Sequence, residues 1–520
     1  MEQQVAHHHQ HIVAVPLPYQ GHITSLMRFC KMLARHDTLG PRRLQITFID
    51  IHPFENDSDK TAQSATTPTA EPEAIYSSGS TSSSPPILTR DASTSSRHDP
   101  LAIRRVRIAL PTPSSDFRRP LSFFFESQLP LLLPSLRHLI LCLDRQGPPI
   151  TCFLSDIYMM LPMQDIVDQL RVPRVVLFPF SASRLLLSHY IWKGGDISIE
   201  QVLEALKTSA DQREVFCRGL PGLPTLFKTD IPTFKHGADD NLYMWNLAIR
   251  TWEACQKLDL HAVVVNTFYE LESSALKVLS TCNVPIFETG PWIENLDKEC
   301  STSLWKEDEA CLAWLNQQPE GSVLYISFGS VTVFSESEFG EFLKAVLSSK
   351  QRFLWAIRRD LVQGSMATDL TDIISMSDGL GFVVEWAPQL TVLAHPSVGG
   401  FFTHCGWNSV MESIAHGVPM LCWPYFADQL VNARCIVDEW KVGLEMEFHH
   451  SRSSNSFIGS SIQIERAIRS LMEGEEGKAA RQNVAVLKSA CTERLSENGG
   501  VDAFLKSLFT PHSMSTARVC

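Results

Sequence analysis

The stretch FFTHCGWNSVMES, residues 401–413, sets an apolar run against a helical pattern whose first turn is polar. GGFF reads as a buried strand and THCG as a turn, after which Trp407, Val410, Met411, Ile414 and Ala415 recur at helical spacing. A helix that starts directly after a parallel strand aims free backbone N–H groups and its positive dipole end past the strand. His404 and Ser409 add side-chain donors, while Asn408 and Glu412, four residues apart, share a second face. Such a start can hold an anion without a metal, and Glu412, one turn deeper, can accept hydrogen bonds from a vicinal diol such as a ribose. Phosphate plus diol points to a nucleotide. Asn and Ser also cap helices constantly, and spacing alone leaves that plainer reading open.

A second candidate is His22, in the turn between the first strand pattern and the first helical one. Imidazole titrates near pH 6.5, which suits it to take a proton from a hydroxyl. A lone His at a turn is more often structural, so residue type by itself does not assign it.

The elements around these residues follow an α/β rhythm. HIVAVPL is a continuous apolar strand pattern, Ile23, Leu26, Met27, Cys30, Leu33 and Ala34 recur at helical spacing, and RLQITFIDI returns as a strand. That order makes a parallel βαβ unit, whose buried strands read as unbroken apolar runs. ITCFLSD, RVVLFPF and AVVVNTF continue the pattern as strands, with MQDIVDQL helical between the first two. From SVLYISF the grammar repeats: a turn, a helix opened by Ser335 with Glu338 three residues on, then RFLWAI, GFVVE, VGGFF and PMLCW as strands. Two doubly wound domains are therefore expected, with the carboxyl ends of both sheets on one cleft, where ligands of such folds bind.

The division expected is residues 1–292 for the first domain, 293–307 for a linker, 308–490 for the second, and 491–520 for a last helix and tail returning to the first. Residues 54–100 or so are poor in large apolar side chains and are expected to form a disordered insertion.

Composition narrows the function. The chain has 520 residues, 44% hydrophobic and 20% charged, which suits two ordinary cores of roughly 200 residues each. A formal charge of -12 without basic clusters argues against nucleic acid and anionic lipid. No secretory pattern opens the chain, and the greasiest stretch, SFFFESQLPLLLPSLRHLILCL, is interrupted by Glu126, Pro130, Pro134 and Arg137. Thirteen cysteines without a CxxC pair read as reduced core thiols, so a cytoplasmic protein without stable membrane insertion is expected. The triplet His7 to His9 reads as solvated chain, and no metal site is expected.

Residues 386–429, WAPQLTVLAHPSVGGFFTHCGWNSVMESIAHGVPMLCWPYFADQ, resemble the 44-residue signature box of plant UDP-dependent glycosyltransferases, glycosyltransferase family 1. GHI near the start, VVVNTFYELE, ETGPW and VLYISFGS extend the resemblance over most of the chain. It implies the GT-B fold, two Rossmann-like domains facing across a cleft. By position it implies that Trp386 stacks on uracil with Ala387 beside it, that Gln389 reaches the ribose, and that Glu412 holds its hydroxyls. Ser330, His404, Trp407, Asn408 and Ser409 resemble the remaining UDP contacts, chiefly to the pyrophosphate, and Asp428 and Gln429 the pair that grips the sugar. A final Gln together with Trp at 407 goes with glucose in this family, so UDP-glucose is the implied donor.

The same resemblance makes His22 the catalytic base and pairs it with Asp156 from FLSD, which would otherwise read as a helix cap. A carboxylate on one ring nitrogen fixes the tautomer and stabilises the imidazolium that forms. Leaving UDP is stabilised by the helix start rather than by a metal, and attack opposite UDP implies inversion to a β-O-glucoside. The implied acceptor is a small lipophilic hydroxyl compound, a phenolic such as a flavonoid first, with a terpenoid alcohol or carboxylic acid as the alternative; a monomer is expected. LSFFFESQLPLLL reads equally as a pocket wall or a core helix. The chain departs from the family at Ser25, where Pro is common, and at Phe180 and Ser181, where a Thr is usual and Ser181 is the candidate substitute. A nucleotide-sugar binder without turnover is the competing class. A dinucleotide oxidoreductase is set aside because neither half has GxGxxG after its first strand.

Overall fold

The computed structural model describes residues 9–36, 44–52, 103–110, 120–207, 214–234, 238–293, 307–362, 370–446, 449–451, 456–458, 460–496 and 500–509. The insertion expected near 54–100 and most of the expected linker lie outside the described residues.

The first half builds a seven-stranded parallel sheet from β1 (Gln10–Val15), β2 (Leu44–His52), β3 (Ile103–Ala109), β4 (Cys152–Asp156), β5 (Arg174–Phe178), β8 (Ala262–Val265) and β9 (Ile286–Glu288). A small antiparallel hairpin, β6 (Val215–Cys217) with β7 (Leu226–Phe227), stands apart from it. Spatial order is β3-β2-β1-β4-β5-β8-β9, so the direction of winding reverses between β1 and β4. Those two strands pair in register from Ile12 with Cys152 to Val15 with Ser155. Their apolar continuity follows from burial on both faces: Val13 and Val15 enter one apolar cluster, Ile12 and Ala14 the other. β3 lacks such continuity. It is an edge strand with alternating exposure, and Arg105 on it reaches Asp50 of β2 at 3.1 Å.

The second half repeats the plan with β10 (Val323–Ser327), β11 (Arg352–Ala356), β12 (Gly381–Val384), β13 (Val398–Thr403), β14 (Met420–Cys422) and β15 (Gly443–Glu445), ordered β12-β11-β10-β13-β14-β15. Here the reversal falls between β10 and β13. Ser335 and Glu338 form the reciprocal capping box, with Ser335 N–H donating to the Glu338 carboxylate at 2.9 Å.

The helix Glu475–Ser496 runs through residue 490, and the following helix, Val501–Phe509, packs on the first domain through Phe504, 5.6 Å from the rings of Phe29 and Phe287. Among the described residues the cysteines are free thiols, most of them buried, and no helix is long and apolar enough to cross a membrane.

Candidate active site

Both sheets present their reversal points to the same seam, where ligands of open α/β sheets bind. On the first-domain side, α1 (Gln20–Arg35) begins after four intervening residues beyond β1, and His22 is its third residue. Asp156 ends the neighbouring β4. Adjacent strand ends thus bring together two residues 134 positions apart, and His22 Nδ1 lies 2.6 Å from Asp156 Oδ2. The other carboxylate oxygen, Oδ1, accepts from Tyr158 N–H at 3.0 Å and caps the short helix Ile157–Met160. Capping and pairing with His22 are therefore one arrangement that uses both oxygens. With Nδ1–H donating to Asp156, Nε2 is left as the acceptor that a general base needs.

Aromatic side chains surround the imidazole. Phe180 meets it edge-on at 5.4 Å, and Tyr158 and Tyr19 lie at 6.3 and 6.5 Å. Phe124 packs on Tyr19 and Phe125 on Tyr158, and both belong with Leu129, Leu132 and Leu136 to the buried core of the first domain, while Leu131 is exposed. Ser181, the candidate substitute for the usual Thr, is buried at the start of the helix it opens. Its hydroxyl is fully buried, capping the helix Ala182–Lys193 and donating to Asn432 Oδ1 at 2.9 Å, while Phe180 is the residue against His22.

On the second-domain side, the helix Trp407–His416 starts after β13 and the turn His404–Gly406. Gly329, with a φ of +74°, and Gly406 sandwich the His404 ring, because a Cβ on either would come within 2.7 or 2.5 Å of Nε2. Ser330 follows Gly329 directly in the loop after β10. Deeper in the helix, Gln389 Nε2 donates to Ser409 Oγ at 2.9 Å and Glu412 Oε2 at 2.7 Å, and Tyr325 O–H donates to Gln389 Oε1 at 3.2 Å. Gln389, Ser409 and Glu412 are one network. Trp386, half-buried, follows β12 three residues before Gln389, and its carbonyl accepts from Asp308 N–H at 2.9 Å.

Two side chains of the signature box are turned away from the network. Ala387 is packed in the apolar core, which leaves only its backbone for a ligand. The Trp407 ring is buried in the same core, and its indole N–H donates to the Asn266 carbonyl of the first domain at 2.9 Å. A buried indole needs a partner for its donor, and here that need ties the domains together. Trp407 offers the cleft its backbone at the helix start.

Asp428 and Gln429 are both buried at the start of the helix Gln429–Arg434. Gln429 Oε1 accepts from the backbone N–H of Tyr425 at 2.9 Å and Phe426 at 3.1 Å, which leaves its NH2 as a donor. Asp428 accepts from Asn432 at 2.7 Å. Burial pushes the Asp428 carboxyl up to about 6, against the opposing pull of the Asn432 hydrogen bond, Arg184 and His22.

Spacing in the sequence gives no sign of the residues that join the halves. Arg28 Nη1 meets Glu412 Oε1 at 2.7 Å, with both side chains buried. Asn408 Nδ2 donates to the Gly21 carbonyl at 2.9 Å, and Ser25 Oγ lies 2.9 Å from Asn408 Oδ1. Arg434 pairs with Asp230 at 3.0 Å. The only sign visible in the chain was Ser25 itself, a hydroxyl where Pro is common.

Two doubly wound domains joined carboxyl edge to carboxyl edge define the GT-B class. A family model for UDP-glucoronosyl and UDP-glucosyl transferase matches residues 243–489. UDP-glycosyltransferase 85A1 of Arabidopsis thaliana is 30% identical over 515 residues, covering 96% of this chain and 94% of that protein. A myricetin 3-O-rhamnoside 1,2-glucosyltransferase of Crocosmia x crocosmiiflora is 30% identical, covering 98% of each. The structure of Phytolacca americana UGT2 complexed with UDP-2fluoro-glucose and pterostilbene superposes with a TM-score of 0.68 at 25% identity, covering 98% of this chain and 99% of that one. The chain belongs to the plant UDP-glycosyltransferases of glycosyltransferase family 1, enzymes that transfer a sugar from a UDP-sugar.

Proposed function

We propose that the protein transfers glucose from UDP-glucose to a hydroxyl of a small lipophilic acceptor, a phenolic first among them, with inversion to the β-glucoside. One observation carries this reading. Gly21, the residue before His22, is bonded to Asn408 in the first turn of the anion-binding helix, so base and leaving-group site share one seam. In the proposed reaction the acceptor hydroxyl lies at His22 Nε2 and loses its proton as its oxygen attacks the anomeric carbon. Asp156 stabilises the imidazolium through Nδ1. The helix start at 404–409 receives the charge that develops on departing UDP, a preorganised electrostatic role that calls for no metal. Trp386, Gln389 and Glu412 are assigned to uracil and ribose, Ser330, His404, Asn408 and Ser409 to the pyrophosphate, and Asp428 and Gln429 to the sugar hydroxyls. The aromatic wall of Tyr19, Tyr158 and Phe180 supports a flat, apolar acceptor.

The first test incubates the protein with UDP-glucose and a mixed panel of flavonoids, simple phenols and terpenoid alcohols, reading added hexose by mass and its anomeric configuration by NMR. A β-glucoside is the expected product. An α-glucoside would overturn the inverting mechanism, and bound UDP with no product from the whole panel would favour a silent binder.

The Asp428 shift gives a pH dependence with a definite sign. Its carboxyl, ionised above about 6, accepts hydrogen bonds from sugar hydroxyls and gains a proton as pH falls through that value. UDP-glucose affinity, followed by titration calorimetry from pH 7.5 to 5, is expected to fall several-fold, by less than about tenfold per unit. Asp428→Asn is expected to flatten the profile; an unchanged pH dependence in that variant would remove Asp428 from the sugar site. For folding the sign is opposite. A carboxyl raised in the folded state contributes stability below its unfolded pKa, and that contribution is lost as pH rises through about 6.

A further inference from the structure

The residues that join α1 to the Trp407 helix do more than hold two domains together. On α1, His22, Ser25 and Arg28 are spaced by three, and the last two meet Asn408 and Glu412, spaced by four. Those intervals bring side chains onto one helix face, so the two helices meet along a two-rung polar seam with His22 at its open end. The first rung has a fixed sense: Gly21 O can only accept, so Asn408 turns its NH2 to it and its oxygen to Ser25. The second rung is a charge-assisted contact, Arg28 Nη1 to Glu412 Oε1 at 2.7 Å, with side chains 7% and 5% exposed.

Glu412 is thereby held from two sides. Arg28 of the first domain takes Oε1, and Gln389 of the second takes Oε2 at 2.7 Å. A carboxylate has about four lone-pair sites, so each oxygen keeps one for a further donor. Two hydroxyls on adjacent carbons fit that remaining capacity. Without Arg28 the carboxylate would be held by Gln389 alone and would lose its buried counter-charge.

We propose that Arg28 is a positioning residue of the nucleotide site: from the acceptor-side domain it fixes Glu412 for the ribose diol, so the donor site is complete only when the cleft is closed. The proposal rests on the assignment of Glu412 to the ribose. It also couples donor binding to the base, because Arg28 and His22 are carried by one rigid helix. Docking the nucleotide on Glu412 holds α1, and with it His22, in register with the Trp407 helix.

The test uses the full-length protein and two probes, UDP and 2′,3′-dideoxy-UDP, with dissociation constants measured by titration calorimetry for wild type, Arg28→Gln and Arg28→Lys. Arg28→Gln is expected to weaken UDP about tenfold or more, the scale of one hydrogen bond to a charged group. It is expected to change dideoxy-UDP by less than about threefold, because that probe has no diol to lose. Arg28→Lys, which restores the charge, is expected to recover much of the UDP affinity. Near-normal dideoxy-UDP binding also certifies that the variant is folded. Equal weakening of both probes, or of neither, overturns the proposal, since a merely structural Arg28 would not discriminate between them. A wild-type protein that binds both probes equally overturns the ribose assignment of Glu412 itself, which is a different failure.

Discussion

Replacing His22 by Ala is expected to lower turnover by about 10²–10⁴-fold, the usual range for a general base, while UDP affinity stays within a few-fold. The separation follows from where the imidazole is bonded. Among the described residues its one polar contact is Nδ1 to Asp156, and its ring faces Phe180, Tyr158 and Tyr19 of the first domain. Nucleotide contacts are assigned to the other domain, so truncating the ring removes no hydrogen bond to UDP. Product formation in single turnover and UDP binding by calorimetry, measured on the same preparation, decide the matter. Parallel loss of both would make His22 a structural residue of α1.

Asp156→Asn is expected to lower turnover to a similar extent, by about 10³–10⁴-fold, on the tautomer argument of the hydrolase triad. The two carboxylate oxygens have two different donors, His22 Nδ1–H and Tyr158 N–H. An amide can accept from only one of them. If its oxygen keeps the cap at Tyr158, its NH2 faces Nδ1 and forces the proton onto Nε2, where the base must be empty. If it flips, two N–H groups oppose each other at the helix start. The first arrangement loses activity with little change in melting temperature, and the second lowers both. In either case the double variant with His22→Ala is expected to be no slower than His22→Ala alone, because the carboxylate acts only through the ring. An additive double variant would show that Asp156 has a separate catalytic role.

The strands of both sheets were legible because parallel strands buried on two faces must be apolar throughout, as in HIVAV and VLYIS. β3 was not, since an edge strand such as IRRVRIA needs only one apolar face and carries arginines on the other. β15, three residues long, has too little pattern to read. Gln389, Ser409 and Glu412 all fall within the contiguous signature box, but only Ser409 and Glu412 share a helix, and Gln389, on the helix Gln389–Leu393 before β13, is brought to them by the fold. Trp407 illustrates the limit of such reading. Its place in the box is plain, yet the direction of its indole was set by Asn266, 141 positions away.

The sequence by itself determined the fold class, the two repeats of β-α grammar, and the helix start that could receive an anion, because each depends on periodicity and neighbours within some thirty residues. The tertiary structure alone decided what crosses the cleft. Arg28 with Glu412, Ser25 with Asn408, Ser181 with Asn432 and Arg434 with Asp230 are pairs separated by 200 to nearly 400 positions. No local propensity encodes such pairs. They exist because two sheets present their carboxyl ends to each other, and the polar groups buried there must find partners on the opposite side.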